Sequence, residues 1–266
     1  MTVRFIHLSD THIAPAADFA KYGHYAVRNL NAVVDAINAL SFPIDFVLHT
    51  GDVVDDELAE SYRTAQPLLN RIRYPVYYAS GNHDEAALLQ REVLGLPEAS
   101  PRYDHRFRVG GVDFAVFDTR GPNDPAGQLQ PDQLAALGAL CTPEGGPLVI
   151  VLHHPPVPLD STWLDQGWEA LGNHPMLITN WPDFWAAIRP ARQRIRGVFF
   201  GHVHRAFQVV REGVLVCSAP SVLAQFYAYP GQLTPAAAPH DHPAFNLVTI
   251  DDDQTTVRQF SVAVNG

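Results

Sequence analysis

Short apolar runs divided by polar turns set the rhythm of this chain, and the rhythm changes half-way along it. Val3–Leu8 is an apolar run of strand length that ends just before Asp10. Residues 25–40 carry Val27, Leu30, Val33, Val34 and Ile37 at helical spacing, which predicts an amphipathic helix. Residues 45–49 predict the next strand and run into Gly51-Asp52. Residues 58–72 predict a helix, 76–79 a strand ending at Gly81-Asn82-His83-Asp84, and 85–94 another helix. This alternation implies parallel strands with polar loops at their carboxyl ends, the usual place for sites in open α/β sheets.

The second half reads as more antiparallel. Residues 103–109 and 112–118 flank Gly110-Gly111, and 206–210 and 214–218 flank Glu212-Gly213, two hairpin signals. Pro131–Leu140 predicts a short helix. Residues 148–152 and 198–200 are continuous apolar strands that end at His153 and at Gly201-His202. Residues 245–250 and 256–262 close the chain around three aspartates. Two mixed sheets packed face to face, with helices outside, fit this pattern.

Two segments lack such periodicity. Residues 157–180 are rich in Pro and Trp and start beside His153, so they are expected to cap a site there. Residues 221–243 are rich in Pro and Ala and hold His240 and His242, expected to be a solvated loop. His7 and His49 lie in or at the end of strands and are expected to be satisfied core residues.

The 266 residues are 47% apolar, enough to bury a full core. No repeat or linker is visible, so a single domain over 1–266 is expected, with the cap at 157–180 and a C-terminal loop-plus-hairpin region at 221–266. The formal net charge of −10 opposes binding to a nucleic-acid polymer. Arg189, Arg192, Arg194 and Arg196 cluster after a predicted helix and read as a solvated connection helped by that helix terminus. Cys141 and Cys217 read as buried free thiols. Residues 2–8 lack a cationic start and a cleavage site, and no apolar run approaches a membrane span, so a cytoplasmic chain without membrane partners is expected. A single lysine, Lys21, stands beside seventeen arginines, which suggests a GC-rich coding genome and no mechanism.

The candidate chemistry lies in five fragments. Asp10-Thr-His12, Gly51-Asp52, Gly81-Asn82-His83-Asp84, His153-His154-Pro155-Pro156 and Gly201-His202-Val-His204 occur in that order, most of them after a predicted strand. Any one of them is weak, since Asp-x-His can be a turn and Asn-His-Asp a helix cap. Together they offer at least two carboxylates, an amide and at least four imidazoles, seven donors or more. No cysteine is among them, which argues against a closed structural zinc site. Seven donors are too many for one tetrahedral ion. Two ions about 3.5–4 Å apart, sharing a carboxylate and keeping positions for water, fit the number and would generate hydroxide near neutral pH.

The ordered set resembles the calcineurin-like metallophosphoesterase family over roughly residues 3–220. The resemblance implies a four-layer α/β/β/α sandwich of two mixed sheets and a pair of metal ions, iron, manganese or zinc, with cobalt as an in vitro substitute. Asp10, His12 and His204 would bind the first ion, Asp52 would bridge, and Asn82, His153 and His202 would bind the second. His83 would donate to the phosphate and protonate the leaving oxygen, with Asp84 holding its ring. The family's His-x-Pro pattern selects His153 over His154, which would sit behind the ligands or near substrate.

Within the family the chain looks most like the class III cyclic-nucleotide phosphodiesterase and glycerophosphodiesterase branch. The implied activity is hydrolysis of small phosphodiesters, such as cAMP or glycerophosphodiesters, by a metal-bound hydroxide. Expected substrate contacts are Asn82, His83, His154, His24, Trp163 and His174, with 22–25 and 221–243 also near the cleft. Self-association as a homodimer or higher homo-oligomer is left open. The rivals are a phosphomonoesterase or a nucleotide pyrophosphatase on the same site, and a metal-free interaction module. The module predicts lost ligands, and none is missing. A monoesterase predicts a basic pocket, for which only Arg120 and Arg205 are at hand.

Overall fold

The computed structural model describes residues 2–264. In chain order its main strands are β1 (Val3–Leu8), β2 (Phe46–His49), β3 (Val76–Tyr78), β4 (His105–Val109), β5 (Val112–Val116), β6 (Leu148–Val151), β7 (Ile195–Phe200), β8 (Gln208–Arg211), β9 (Val214–Ser218), β10 (Ala244–Ile250) and β11 (Thr255–Ser261). They form a five-stranded sheet ordered β11-β10-β1-β2-β3 and a six-stranded sheet ordered β8-β9-β7-β6-β5-β4. β1, β2 and β3 are parallel, as are β9, β7, β6 and β5. Antiparallel strands β10, β11, β8 and β4 close the edges. Both hairpins form at the glycines that the sequence marks.

Central strands β1, β2, β6 and β7 are apolar on both faces because each face meets a layer. Between the sheets Phe5 stacks on Phe46 at 4.9 Å and meets Phe199 of the opposite sheet edge-on at 5.3 Å. Val3, Leu48, Phe114, Val149, Val151 and Val248 complete this inner core. On the outer face of the five-stranded sheet, helix Ala26–Asn38 buries Leu30, Val33, Val34 and Ile37 beside helix Ala59–Leu69. On the outer face of the six-stranded sheet, helices Pro131–Leu140 and Trp181–Ile188 bury Leu137, Phe184 and Trp185. The result is the four-layer α/β/β/α sandwich.

Three segments differ from expectation. Residues 85–94 form only a helical turn, Ala86–Leu88, that widens into a π-turn, Leu89–Val93. There the Gln90 side chain turns inward and bonds Ala86 O, Ser100 O and Ser100 N. Residues 157–180 are not bare loop, since Thr162–Gln166 is a helix and Glu169–Leu171 a 3₁₀ turn. Residues 221–243 contain a small pairing of Phe226–Tyr227 with Ala236–Ala237. These last two segments join: Trp163 N donates to Gln232 O at 3.0 Å and Trp163 Nε1 to Tyr227 O at 3.3 Å.

The arginine cluster fastens the fold. Arg194 donates to Thr142 O and Gly146 O at 2.9 Å, Arg189 pairs with Glu212, and Arg196 reaches Asp252 O. Cys141 and Cys217 are free and buried, and burial pushes their thiols up to about 11 and about 12. No described helix is long and apolar enough to cross a membrane.

Candidate metal centre

Asp10, Asp52, Asn82, His153 and His202 all follow the carboxyl ends of parallel strands, so the topology alone delivers them to one edge. The backbone there is unusual. Asp10, His12, Asp52, His202 and His204 have φ of 56°, 45°, 53°, 69° and 49°. Left-handed φ is uncommon outside glycine, and Asp, Asn and His reach it most readily. Close packing adds to the constraint. A Cβ on Gly81 would collide with the Asp52 carboxylate, and one on Gly201 with the Ser9 hydroxyl. Sharp turns held by β1 and β7 thereby bring ligand-type side chains of distant segments together.

They meet in two adjoining groups. Asp10, His12, Asp52 and His204 form one buried cluster. In the other, His153 Nε2 lies 3.1 Å from Asn82 Oδ1, 3.1 Å from His202 Nδ1 and 3.3 Å from Asp52 Oδ2. Asp52 Oδ2 is also 3.6 Å from His12 Nε2, so one oxygen faces both groups.

The hydrogen bonds behind the rings test whether these residues fit a cation. His12 Nδ1 is bonded to Asp55 Oδ1 at 3.0 Å, His153 Nδ1 to Thr50 O at 2.7 Å and His204 Nδ1 to Ala224 O at 2.9 Å. Those oxygens only accept, so each Nδ1 is the donor and a neutral ring keeps a bare lone pair at Nε2. His12 Nε2 and His204 Nε2 nevertheless face each other at 3.0 Å. Asn82 Nδ2 donates to Asp124 Oδ1 at 2.8 Å, which aims its carbonyl oxygen at His153. Lone pairs turned on lone pairs repel unless a positive charge lies among them. The residues fit metal ions.

Electrostatics agree. Burial lowers the pKa values of His12, His202 and His204, which keeps them in the neutral form that ligates. Burial, then the Asp52 charge, pushes Asp10 up to about 7. Burial also opposes ionisation of Asp52, but His153 and His83 hold its carboxyl well below the usual range. Burial works against a charged His153, yet Asp52 raises it to about 9, so in the metal-free chain a proton stands where a cation would.

A family model described as calcineurin-like phosphoesterase matches residues 3–206. The chain belongs to that family. A 3',5'-cyclic-nucleotide phosphodiesterase of Nostoc sp. is 28% identical over 256 residues, covering 96% of this chain and 90% of that protein. The glycerophosphodiester phosphodiesterase GpdQ of Enterobacter lignolyticus is 27% identical, covering 82% and 77%. A dimetal phosphatase from Danio rerio superposes with a TM-score of 0.68 over 99% of both chains at 15% identity, a likeness of fold.

Above its candidate ligands this calcineurin-like phosphoesterase has a cavity of about 490 Å³. Asn82, His83 and Trp163 line it, as do Trp168, Leu171, Met176 and Phe226. His154, His24 and His174 do not. His154 is fully buried behind His202, its Nδ1 on Thr119 Oγ1 at 2.8 Å and its Nε2 unpartnered. A ring nitrogen of His154 lies within 4.8 Å of one each from His153 and His202, but it is His153 that also meets Asn82 Oδ1 and Asp52 Oδ2. His24 lines a separate surface cavity with Arg28, His240 and His242. His174 is half-buried and is not among the residues lining the cavity.

The expected partnership of His83 with Asp84 is not formed. The Asp84 carboxylate accepts from Gly81 N at 2.9 Å, Val53 N at 3.1 Å, Val54 N at 3.2 Å and Tyr62 OH at 3.2 Å. Backbone N–H groups crowd round it because two tight loops meet there, and nothing is left for the imidazole. His83 Nδ1 instead donates to Asp55 O at 2.9 Å. Burial disfavours the imidazolium of His83, but the Asp52 charge and this carbonyl raise its pKa above the ordinary value.

Three residues that the motifs do not mark belong to the site. Asp124 turns Asn82, Asp55 holds His12 and His83, and Lys21 lines the cavity with its Nζ 2.5 Å from Asp55 Oδ1. The lone lysine, read from the sequence as a mark of genome composition, therefore has a defined place.

Proposed function

We propose that this phosphoesterase is a dinuclear metal-dependent phosphodiesterase of small diesters, 3',5'-cyclic nucleotides such as cAMP or glycerophosphodiesters. One observation carries the proposal: a single oxygen, Asp52 Oδ2, faces two groups of converging lone pairs. Asp10, His12 and His204 would hold one ion, Asn82, His153 and His202 the other, with Asp52 between them. Bound there, the ions would supply Lewis-acid polarisation of the phosphoryl group and a water-derived nucleophile at neutral pH. The similarity to a cyclic-nucleotide phosphodiesterase of Nostoc and a glycerophosphodiester phosphodiesterase of Enterobacter supports the diester class.

The chain's own residues account for the rest. With Nδ1–H committed to Asp55 O, a neutral His83 has a bare Nε2, so only the imidazolium carries a proton there to give away. Its raised pKa keeps that proton available for a leaving alkoxide. The segment 157–180 would act as a cap, since Trp163, Trp168, Leu171 and Met176 wall the cavity with apolar surface. A monoester dianion finds less support. The one cation lining the cavity, Lys21, is already paired with Asp55, while Arg120 is paired with Glu57 and Arg205 with Asp241 outside the lining.

The test is one panel on manganese-loaded protein: cAMP, glycerophosphocholine, bis-p-nitrophenyl phosphate and p-nitrophenyl phosphate. The diesters should turn over faster than p-nitrophenyl phosphate. Faster turnover of the monoester would overturn the diester reading.

A further inference from the structure

Lys21 is the only lysine among eighteen cationic residues, and among the described residues it is the only Lys or Arg lining the cavity over the candidate ligands. It is placed by a small hairpin in which Lys21 pairs with His24 and Ala20 with Tyr25. Tyr22 at its tip is held at a φ of 55° and lies edge-on to Phe226 at 4.9 Å, so the hairpin is braced against the opposite wall. The Lys21 side chain is only 27% exposed.

An ammonium has three N–H donors. One is used on Asp55 Oδ1, and among the described residues Asp55 is the only hydrogen-bond partner of this side chain. Two donors have no hydrogen-bond partner among the described residues, on a side chain that lines the cavity together with His12, Tyr22 and His83. The charge is close enough to His83 to oppose protonation there. Asp55 does more than neutralise it. By pinning the head it removes much of the rotamer entropy that a free lysine would lose on meeting an anion.

We propose that Lys21, anchored by Asp55, binds a non-bridging oxygen of the substrate's phosphoryl group and selects anionic over neutral esters. The inference rests on the phosphoesterase reading of the site and adds a residue to it. Asp55 is the positioning residue. Lys21 itself meets the substrate.

The experiment compares wild type, Lys21→Met and Lys21→Arg, each loaded with manganese and checked for metal content and circular dichroism. For bis-p-nitrophenyl phosphate, Lys21→Met should raise KM roughly tenfold to a hundredfold, the usual effect of losing a hydrogen bond to a charged group, with little change in kcat. The dissociation constant of inorganic phosphate, measured by calorimetry, should rise in parallel, and Lys21→Arg should recover most of both. Unchanged KM and phosphate affinity in Lys21→Met would overturn the proposal. So would loss of metal with normal phosphate affinity once metal is restored, because Lys21 would then only prop Asp55. A Lys21→Arg protein as weak as Lys21→Met would show that charge is not what acts. If wild type cleaves no diester, the diester reading fails, while the phosphate titration still decides the role of Lys21.

Discussion

The inner core and the candidate metal centre are built on the same strands a few residues apart, yet they obey opposite rules. On β1, Phe5 packs in an apolar interior, and five positions later Asp10 is equally buried among charges. On β7, Phe199 meets Phe5 edge-on, and His202 follows three positions later with a left-handed backbone. The core is regular and its contacts add to stability. The loop layer holds strained turns, crowded carboxylates and opposed lone pairs. One layer can be unfavourable because the other, covalently continuous with it, is not.

The sharpest way to break this contrast is at the bridge. Asp52→Ala should remove the second ion and nearly all activity while leaving the fold intact, whereas His154→Ala should keep both ions. Elemental analysis beside the diester assay checks both. Loss of an ion in His154→Ala but not in His153→Ala would mean that the two histidines are interchanged.

His83→Ala comes next. It should slow cAMP hydrolysis by about 10²–10⁴ and bis-p-nitrophenyl phosphate hydrolysis far less, because a ribose alkoxide needs a proton more than p-nitrophenolate does. Equal losses would reduce His83 to a phosphate-positioning role. Asp84→Asn, in contrast, should act on loop stability, seen as a lower melting temperature.

On the core side, Phe199→Ala should cost about 3–5 kcal/mol in urea unfolding, with the metal stoichiometry of the folded protein unchanged. A parallel loss of metal at low denaturant would mean that the two layers are less separable than the geometry suggests.

The most gradual effect, spread over several pH units, concerns the boundary between them. His7 and His49 are buried, and burial lowers both to about 3 from an ordinary value of 6.5. The unfolded chain takes up protons below pH 6.5 that these folded rings refuse until about pH 3. Stability is therefore fully present above pH 6.5 and is lost as pH falls through that window, by up to about 1.4 kcal/mol per pH unit for each ring. Urea midpoints of the metal-free protein should show this slope, and His49→Gln should flatten it.

The sequence reveals this site unevenly, and for physical reasons. Asp10, Asp52, Asn82, His153 and His202 are visible because each follows a strand, and parallel strands share an edge. What fails is any inference of contact from adjacency. Asp84 follows His83 directly, but its carboxylate is drawn into a nest of backbone N–H groups. His154 follows His153, but its side chain lies behind His202, outside the cavity. Asp55, Asp124 and Lys21 carry no motif because their roles arise only where loops meet. In the fold, hairpins and amphipathic helices are legible from periodicity. The π-turn at Leu89–Val93 is not, since it coincides with Gln90 bonding a loop ten residues away.

The left-handed turns at Asp10, His12, Asp52, His202 and His204 also set limits on how this centre can change over evolutionary time. Most side chains clash there, β-branched ones worst of all, while Asp, Asn, His and Gly are accommodated. Three of those four are metal donors. The backbone thus acts as a filter on mutation, so that an exchange at these five positions that still folds tends to be another ligand. Drift can retune which ion is preferred, imidazole for carboxylate or the reverse, without first passing through an unfoldable chain.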